Sequence, residues 1–312
     1  MKIYGYKLGE RLPIGDSAVA IGFFDGIHLA HRELIITAKE EAKRLGISSG
    51  VVTFASESSI KAGIPRLYDT EDKFSLIEAL GVDFAVVCDF ADVAGLSGEE
   101  FVRRTLVGDV GASRVIAGYN FRFGSRASSN ADDLCSYMSA LGGEAIIKEP
   151  YLFDGEPLSS SMIRALLSDG KVEEARRALG SPYFVTGRVS HGRSVGKRLG
   201  FPTLNFSEDA GRVKLKQGVY RCVALISGKP YHAVTNVGVC PTFEGRDYHI
   251  EAHLADFSGE IYGESVRLYF LGRLRDERQF ASAEELKMQI KVDKNRTIKE
   301  NGEDLWQEIG LN

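Results

Sequence analysis

The stretch Gly200-Phe201-Pro202-Thr203-Leu204-Asn205, preceded by His191-Gly192-Arg193-Ser194-Val195-Gly196-Lys197-Arg198-Leu199, combines groups suited to holding a nucleotide and its metal ion. Glycines lack a Cβ, so their backbone N–H groups can come close to phosphates, and Pro202 stiffens the turn beside the charge of Lys197. On an extended chain Thr203 and Asn205 project to the same side, so a hydroxyl and an amide oxygen converge. Read alone, the loop is equally a ligand-free glycine hairpin. Further on, the run His249-Ile250-Glu251-Ala252-His253-Leu254 alternates. Strand geometry then puts Ile250, Ala252 and Leu254 on one face and His249, Glu251 and His253 on the other. A carboxylate so placed is a candidate base for a substrate hydroxyl. The same trio admits a zinc reading, but side chains two apart on a strand stand about 7 Å from each other, unlike the helical HExxH pair.

A second constellation lies near the amino terminus, in Gly22-Phe23-Phe24-Asp25-Gly26-Ile27-His28-Leu29-Ala30-His31. Ala18-Val19-Ala20-Ile21 reads as a strand before it, and Leu34, Ile35, Ala38, Ala42 and Leu45 recur at helical spacing up to a stop at Gly46. His31 therefore falls near a helix amino terminus, where backbone donors and the dipole favour a phosphate.

The elements that must position these groups change texture along the chain. In the first half, Val51–Phe54, Phe84–Val87, Val115–Ala117 and Ala145–Ile147 read as strands, separated by helical patterns such as Glu71–Leu80 and the run opened by a Ser97/Glu100 capping box. Such alternation predicts a parallel sheet with helices on both faces, a Rossmann-like α/β domain. Ligands bind beyond the carboxyl ends of its strands, where His28, His31 and Asn120 fall. Two short helices, Ser160–Leu167 and Val172–Leu179, bridge the halves. From Tyr183 onward, runs at Phe184–Val189, Val219–Ile226, Tyr231–Val237, Ile250–Ala255 and Val266–Phe270 are split by glycine turns, the pattern of a small antiparallel barrel. A final helix starts at Ser282, with Glu285 completing a capping box. The boundary is placed between residues 1–182 and 183–312.

Composition narrows the classes. A chain of 312 residues with 44% hydrophobic content can bury two cores. A formal net charge of −4 offers no basic excess for nucleic acid, although Arg188, Arg193, Lys197 and Arg198 form a local patch adequate for a small polyphosphate. No apolar run spans a membrane and the start lacks a signal-peptide core, so a cytoplasmic location is expected. Cys88, Cys135, Cys222 and Cys240 are scattered without a CxxC pair, which argues against zinc knuckles and disulfides. Nothing in the sequence sets an oligomeric state.

Read together, these motifs mark a known family. The Gly-Phe-Pro-Thr-x-Asn loop, Gly218-Val219-Tyr220, Asn236-Val237-Gly238-Val239-Cys240-Pro241-Thr242-Phe243 and Ile250-Glu251-Ala252-His253 resemble, in order, the riboflavin kinase module; Leu204 stands where the family commonly has Ala. The HxxH segment resembles nucleotidyltransferases of the HxGH type. Both in this order, with Gly118-Tyr119-Asn120-Phe121-Arg122-Phe123-Gly124, Leu158-Ser159-Ser160-Ser161-Met162-Ile163-Arg164 and Arg275-Asp276-Glu277-Arg278-Gln279-Phe280, resemble the prokaryotic bifunctional riboflavin kinase/FMN adenylyltransferase family over nearly the whole chain.

The resemblance implies ATP-dependent conversion of riboflavin to FMN in the carboxyl half and of FMN to FAD in the amino half. It implies that Glu251 is the base, that Thr203 and Asn205 hold Mg²⁺ and phosphate oxygens, and that Gly192, Gly196, Lys197, Gly200 and Pro202 line the phosphates. Arg275 would belong to a mobile segment closing over the flavin. In the amino half it implies nucleotide binding by Gly22, Phe24, Asp25, Gly26 and Asn120, charge stabilisation by His28 and His31, and a hold on the leaving phosphates by Ser159, Ser160, Ser161 and Arg164. Three departures fall in this half. Thr53-Phe54-Ala55-Ser56-Glu57-Ser58 replaces Thr-Phe-x-Pro-His-Pro, Met162 replaces an arginine, and Ser128-Ser129-Asn130 lacks a glycine. An amino domain reduced to nucleotide or flavin binding is the competing reading.

Overall fold

The computed structural model describes residues 1–55, 63–190, 203–206, 211–242, 245–255, 257, 263–300 and 304–310. Contacts divide the chain into Met1–Ser160 and Ser161–Asn312.

The first unit is built on a six-stranded sheet in the order β1-β4-β3-β2-β5-β6, with every neighbouring pair parallel. Its strands are β1 (Lys2–Tyr6), β2 (Ser17–Ile21), β3 (Ser48–Phe54), β4 (Phe84–Cys88), β5 (Ala112–Gly118) and β6 (Glu144–Lys148). β2 is buried along its whole length, as a central strand covered on both faces must be. Val19, Ile21, Val52 and Val86 belong to one core, with Phe101 and Leu106. Ala20, Val51 and Ala85 belong to the other, beneath α1 (Leu29–Leu45) and α2 (Thr70–Ala79). Leu34, Ile35, Ala38 and Ala42 form the buried stripe of α1, and Gly46 ends it in the left-handed conformation at φ 69°, its N–H returning to the Ala42 carbonyl.

The chain leaves β2 toward β3 on one side while β5 pairs on the other, so the order reverses between β2 and β5. Loops following those two strands flank the crevice that such a switch point creates. β1, a partly exposed edge strand with no apolar run, gives no strand signal in the sequence. The capping box of Ser97 and Glu100 is present, but where an ordinary helix is expected after it, Phe101–Asp109 is π-helical.

The second unit holds α4 (Val172–Leu179), most of α3 (Ser160–Ser168), and a closed six-stranded barrel whose strands lie side by side in the order Thr203–Phe206, Gly245–Leu254, Lys229–Thr242, Gly218–Ile226, Ser265–Arg275 and Phe184–Ser190, the last closing on the first.

 

Of these, β7 (Gly218–Ile226), β8 (Lys229–Thr242), β9 (Gly245–Leu254) and β10 (Ser265–Arg275) form the wall. Phe184–Ser190 pairs with β10, Thr203–Phe206 pairs with β9, and those two strands pair with each other to close the barrel, all antiparallel. β8 runs well beyond the expected Val237 because pairing with β9 carries it through the Asn-x-Gly-x-x-Pro-Thr motif to Thr242. The last long helix, α5 (Ala283–Glu300), buries Ile290, Asp293 and Thr297. Both bridging helices have the expected positions, and α3 and α4 lie ahead of the boundary expected at residue 182. Among the described residues no helix is long and apolar enough to cross a membrane.

Candidate functional site

Two groups of residues come together, one in each unit. In the first, the chain turns from β2 into α1 through backbone that few residues adopt: Phe24 at φ 50°, Gly26 at φ 93° and Ile27 at φ 44°. A β-branched residue in that region is held there by its surroundings. Phe24 is fully buried, and its ring meets His31 edge-on at 5.3 Å between centroids. His28 is the N-cap of α1, its Nδ1 accepting the His31 N–H at 3.4 Å. The two imidazoles stack 3.7 Å apart at 19°.

Burial pushes His28 down to about 4, and His31 lies well below the ordinary histidine value through burial first, then the neighbouring His28 and Lys73 charges. Both rings are therefore neutral near pH 7. With Nδ1 occupied as an acceptor, neutral His28 carries its proton on Nε2, an N–H donor suited to a phosphate oxygen. His31 Nδ1 is buried with no hydrogen-bond partner, a polar atom left over in the site.

Asp25 joins this loop to the serine run. Its Oδ1 accepts the Leu67 N–H at 2.9 Å, and its carbonyl accepts the Ser160 hydroxyl at 2.7 Å. Ser159 is exposed just before α3, and Arg164 donates to Ser161 Oγ at 3.1 Å within that helix. Gly22 continues β2, its N–H reaching the Val52 carbonyl at 3.2 Å. Asn120 is exposed in the turn after β5, at the same carboxyl edge of the sheet. A residue not singled out from the sequence is Lys73, almost fully buried on α2. Its position four residues before buried Ile77 was the available signal, since i and i+4 share a helix face.

In the barrel the register builds the second group. Asn205 pairs with Glu251, Glu251 with Asn236, Asn236 with Val219, and Val219 with Arg275. Cross-strand partners share a face, so these side chains make one row across five strands. Val219, Asn236, Glu251 and Arg275 line a cavity of about 220 Å³ with Val234, His253, Glu277, Arg278, Phe280, Leu286, Ile290 and Asp293. Arg275 grips Asp293 of α5 through Nη2 at 2.8 Å and Nε at 3.2 Å, and Gln289 donates to the same carboxylate at 2.8 Å. Asn236 Nδ2 donates to Glu277 Oε1 at 2.9 Å. A Cβ on Gly238 would run into the Glu277 carboxylate and stand 3.1 Å from the His249 ring, so the glycine of the Asn-x-Gly motif is a close-approach position.

Burial lowers the pKa of His253, and the Glu251 carboxylate opposes that shift. Among the described residues no group of three or more His, Cys, Asp or Glu side chains is placed to hold a metal ion. Gly192, Gly196, Lys197, Gly200 and Pro202 lie outside the described residues, as do Ser56, Glu57 and Ser58. Thr203 is described in its backbone, pairing with His253.

A parallel-sheet unit with paired imidazoles at its switch point, followed by a barrel with a carboxylate in a cavity, defines a two-domain nucleotide-dependent transferase. Residues 179–300 match the family described as Riboflavin kinase, and residues 13–162 match the family described as FAD synthetase. The chain belongs to the bifunctional riboflavin kinase/FMN adenylyltransferase family. It is 34% identical over 292 residues to the bifunctional riboflavin kinase/FMN adenylyltransferase of Bacillus subtilis, covering 91% of this chain and 92% of the relative. With the protein of that name from Escherichia coli K12 it shares 30% over 292 residues, with 91% and 92% covered. A crystal structure from Streptococcus pneumoniae, solved under the name macrolide-efflux protein, superposes with a TM-score of 0.87 at 31% identity, covering 96% of this chain and 100% of that one.

Proposed function

We propose that the chain phosphorylates riboflavin to FMN in residues 183–312 and adenylylates FMN to FAD in residues 1–182, with ATP as donor in both reactions. The observation that carries the kinase reading is Glu251, set in the cavity wall between Asn205 and Asn236 on adjacent strands. From there Glu251 takes the proton of the ribityl hydroxyl as that oxygen attacks the γ-phosphate, the bond to the β–γ bridging oxygen breaks and ADP leaves. Asn205 and Thr203 supply oxygen donors of the kind that suits Mg²⁺, and the register puts Asn205 beside Glu251. When bound, Mg²⁺ neutralises charge on the ATP phosphates. Binding of those phosphates is assigned to Gly192, Gly196, Lys197, Gly200 and Pro202, and closure over the flavin to Arg275.

In the amino half the FMN phosphate attacks the α-phosphate of ATP and pyrophosphate leaves. His28 and His31 donate hydrogen bonds to the reacting phosphate, a role that neutral imidazoles at a helix amino terminus can fill. Gly22, Phe24, Asp25 and Gly26 shape the loop beside the nucleotide, Asn120 closes it from the β5 side, and Ser159, Ser160, Ser161 and Arg164 hold the leaving phosphates. The family match over residues 13–162 does not favour an amino half reduced to binding. The enzyme works in the cytoplasm on small-molecule substrates. Incubating the protein with riboflavin, ATP and Mg²⁺ and separating the flavins tests both assignments. FMN and FAD are both expected; absence of FMN overturns the kinase assignment, and FMN without FAD overturns the second step.

A further inference from the structure

We propose that Lys73 is a positioning residue for adenylyl transfer: its buried ammonium ties the carboxyl ends of β2 and β3 together and thereby sets the loop that carries His28 and His31. The inference rests on the adenylyltransferase reading of that loop. Lys73 is 2% exposed on α2. Its Nζ donates to the Phe23 carbonyl at 3.1 Å, to Thr53 Oγ1 at 3.2 Å, and to the Phe54 carbonyl by a shorter bond. Thr53 Oγ1 in turn donates to the same Phe23 carbonyl at 3.1 Å. Among the described residues the ammonium thus meets three oxygens where the ladder between β2 and β3 gives way to loop. Methionine or leucine would fill this space without desolvating a charge, so the ammonium is placed for what it holds.

From the anchored Phe23 the path to the imidazoles is short. Phe24 follows at φ 50°, and its buried ring packs against His31, which stacks on His28. A backbone of that kind persists only where neighbouring groups over-determine it. Lys73 also fixes Phe54, the last residue of β3. The ammonium acts on His31 electrostatically as well: burial holds His31 in its neutral form first, and then the neighbouring His28 on its own element and the Lys73 charge on α2 act in the same direction.

The test compares Lys73→Met, Lys73→Arg and Thr53→Val in the full chain. Thr53 is fully buried, and valine keeps its shape while removing one acceptor of Lys73 and one donor to Phe23. The expected result is a fall in kcat for FAD formation of at least tenfold in Lys73→Met and severalfold in Thr53→Val, with partial recovery in Lys73→Arg. KM for ATP and FMN should stay within threefold, and riboflavin phosphorylation should not change. A readout independent of catalysis is the NMR titration of the His31 imidazole, which should move to higher pH in Lys73→Met and stay in place in Thr53→Val, where the ammonium remains. Wild-type kcat in a folded Lys73→Met or Thr53→Val protein overturns the proposal, as does an unmoved His31 titration in Lys73→Met. If Lys73→Met does not fold, Thr53→Val decides. A wild-type protein that makes no FAD counts against the proposed function, and the His31 titration still decides this inference.

Discussion

Asn205 and Glu251 face each other across an antiparallel strand pair, and Asn236 flanks Glu251 from its other side. The phosphate-loop motif and the candidate base, 46 positions apart in the chain, are thereby neighbours on one barrel face. The pairing sets a carboxylate beside an amide oxygen, the groups that the proposed kinase reaction calls for.

Replacing Glu251 by Gln preserves shape and polarity on this face and removes the proton acceptor. FMN formation is expected to fall by roughly 10²- to 10⁴-fold with an unchanged unfolding temperature. Near-normal FMN formation, measured from initial rates, would refute its role as base.

Asn205→Ala removes one oxygen donor beside Glu251. KM for Mg·ATP in the kinase reaction should rise about tenfold, the equivalent of one hydrogen bond of ~1.4 kcal/mol, while FMN adenylylation in the other unit is unaffected. Parallel loss of both activities at an unchanged unfolding temperature would contradict two independent sites.

Met162 offers no charge to the leaving pyrophosphate. An arginine held against phosphate forms charge-assisted bonds worth about 1.5–3 kcal/mol, so Met162→Arg should raise FAD formation roughly 10- to 100-fold. No change, with wild-type FAD synthesis already robust, would show that the departure is harmless. His28→Ala should abolish FAD formation in either background.

The depressed histidines make stability depend on pH. Unfolded histidine titrates near 6.5, whereas folded His28 titrates near 4. Between those values the unfolded chain binds more protons, so stability present above pH 6.5 is lost as pH falls toward 4, by about 3 kcal/mol for His28. His31 adds in the same direction. Unfolding temperatures between pH 7 and pH 4.5 should fall more steeply for wild type than for His28→Gln. Parallel curves would exclude a buried neutral His28.

The primary structure determined much of this protein by itself. Short apolar runs such as Ala18–Ile21, ending at a glycine, read as buried strands, and the alternation around Glu251 puts Ile250, Ala252 and Leu254 on one face, where they are buried. Capping residues such as Ser97 with Glu100 act within one turn, so they too are readable locally. Tertiary structure decided the rest, because it depends on contacts between distant residues. β1 forms only because β4 accepts it at the sheet edge, and the Phe101–Asp109 stretch is π-helical although its local pattern is that of an α-helix. Pairing between β8 and β9 brings Asn236 beside Glu251, and the Arg275–Asp293 pair is made only when α5 packs on the barrel. Lys73 shows the difference most plainly: in sequence it is one of many surface-type lysines, and its role is defined by three oxygens that the folding of β2 and β3 brings to it.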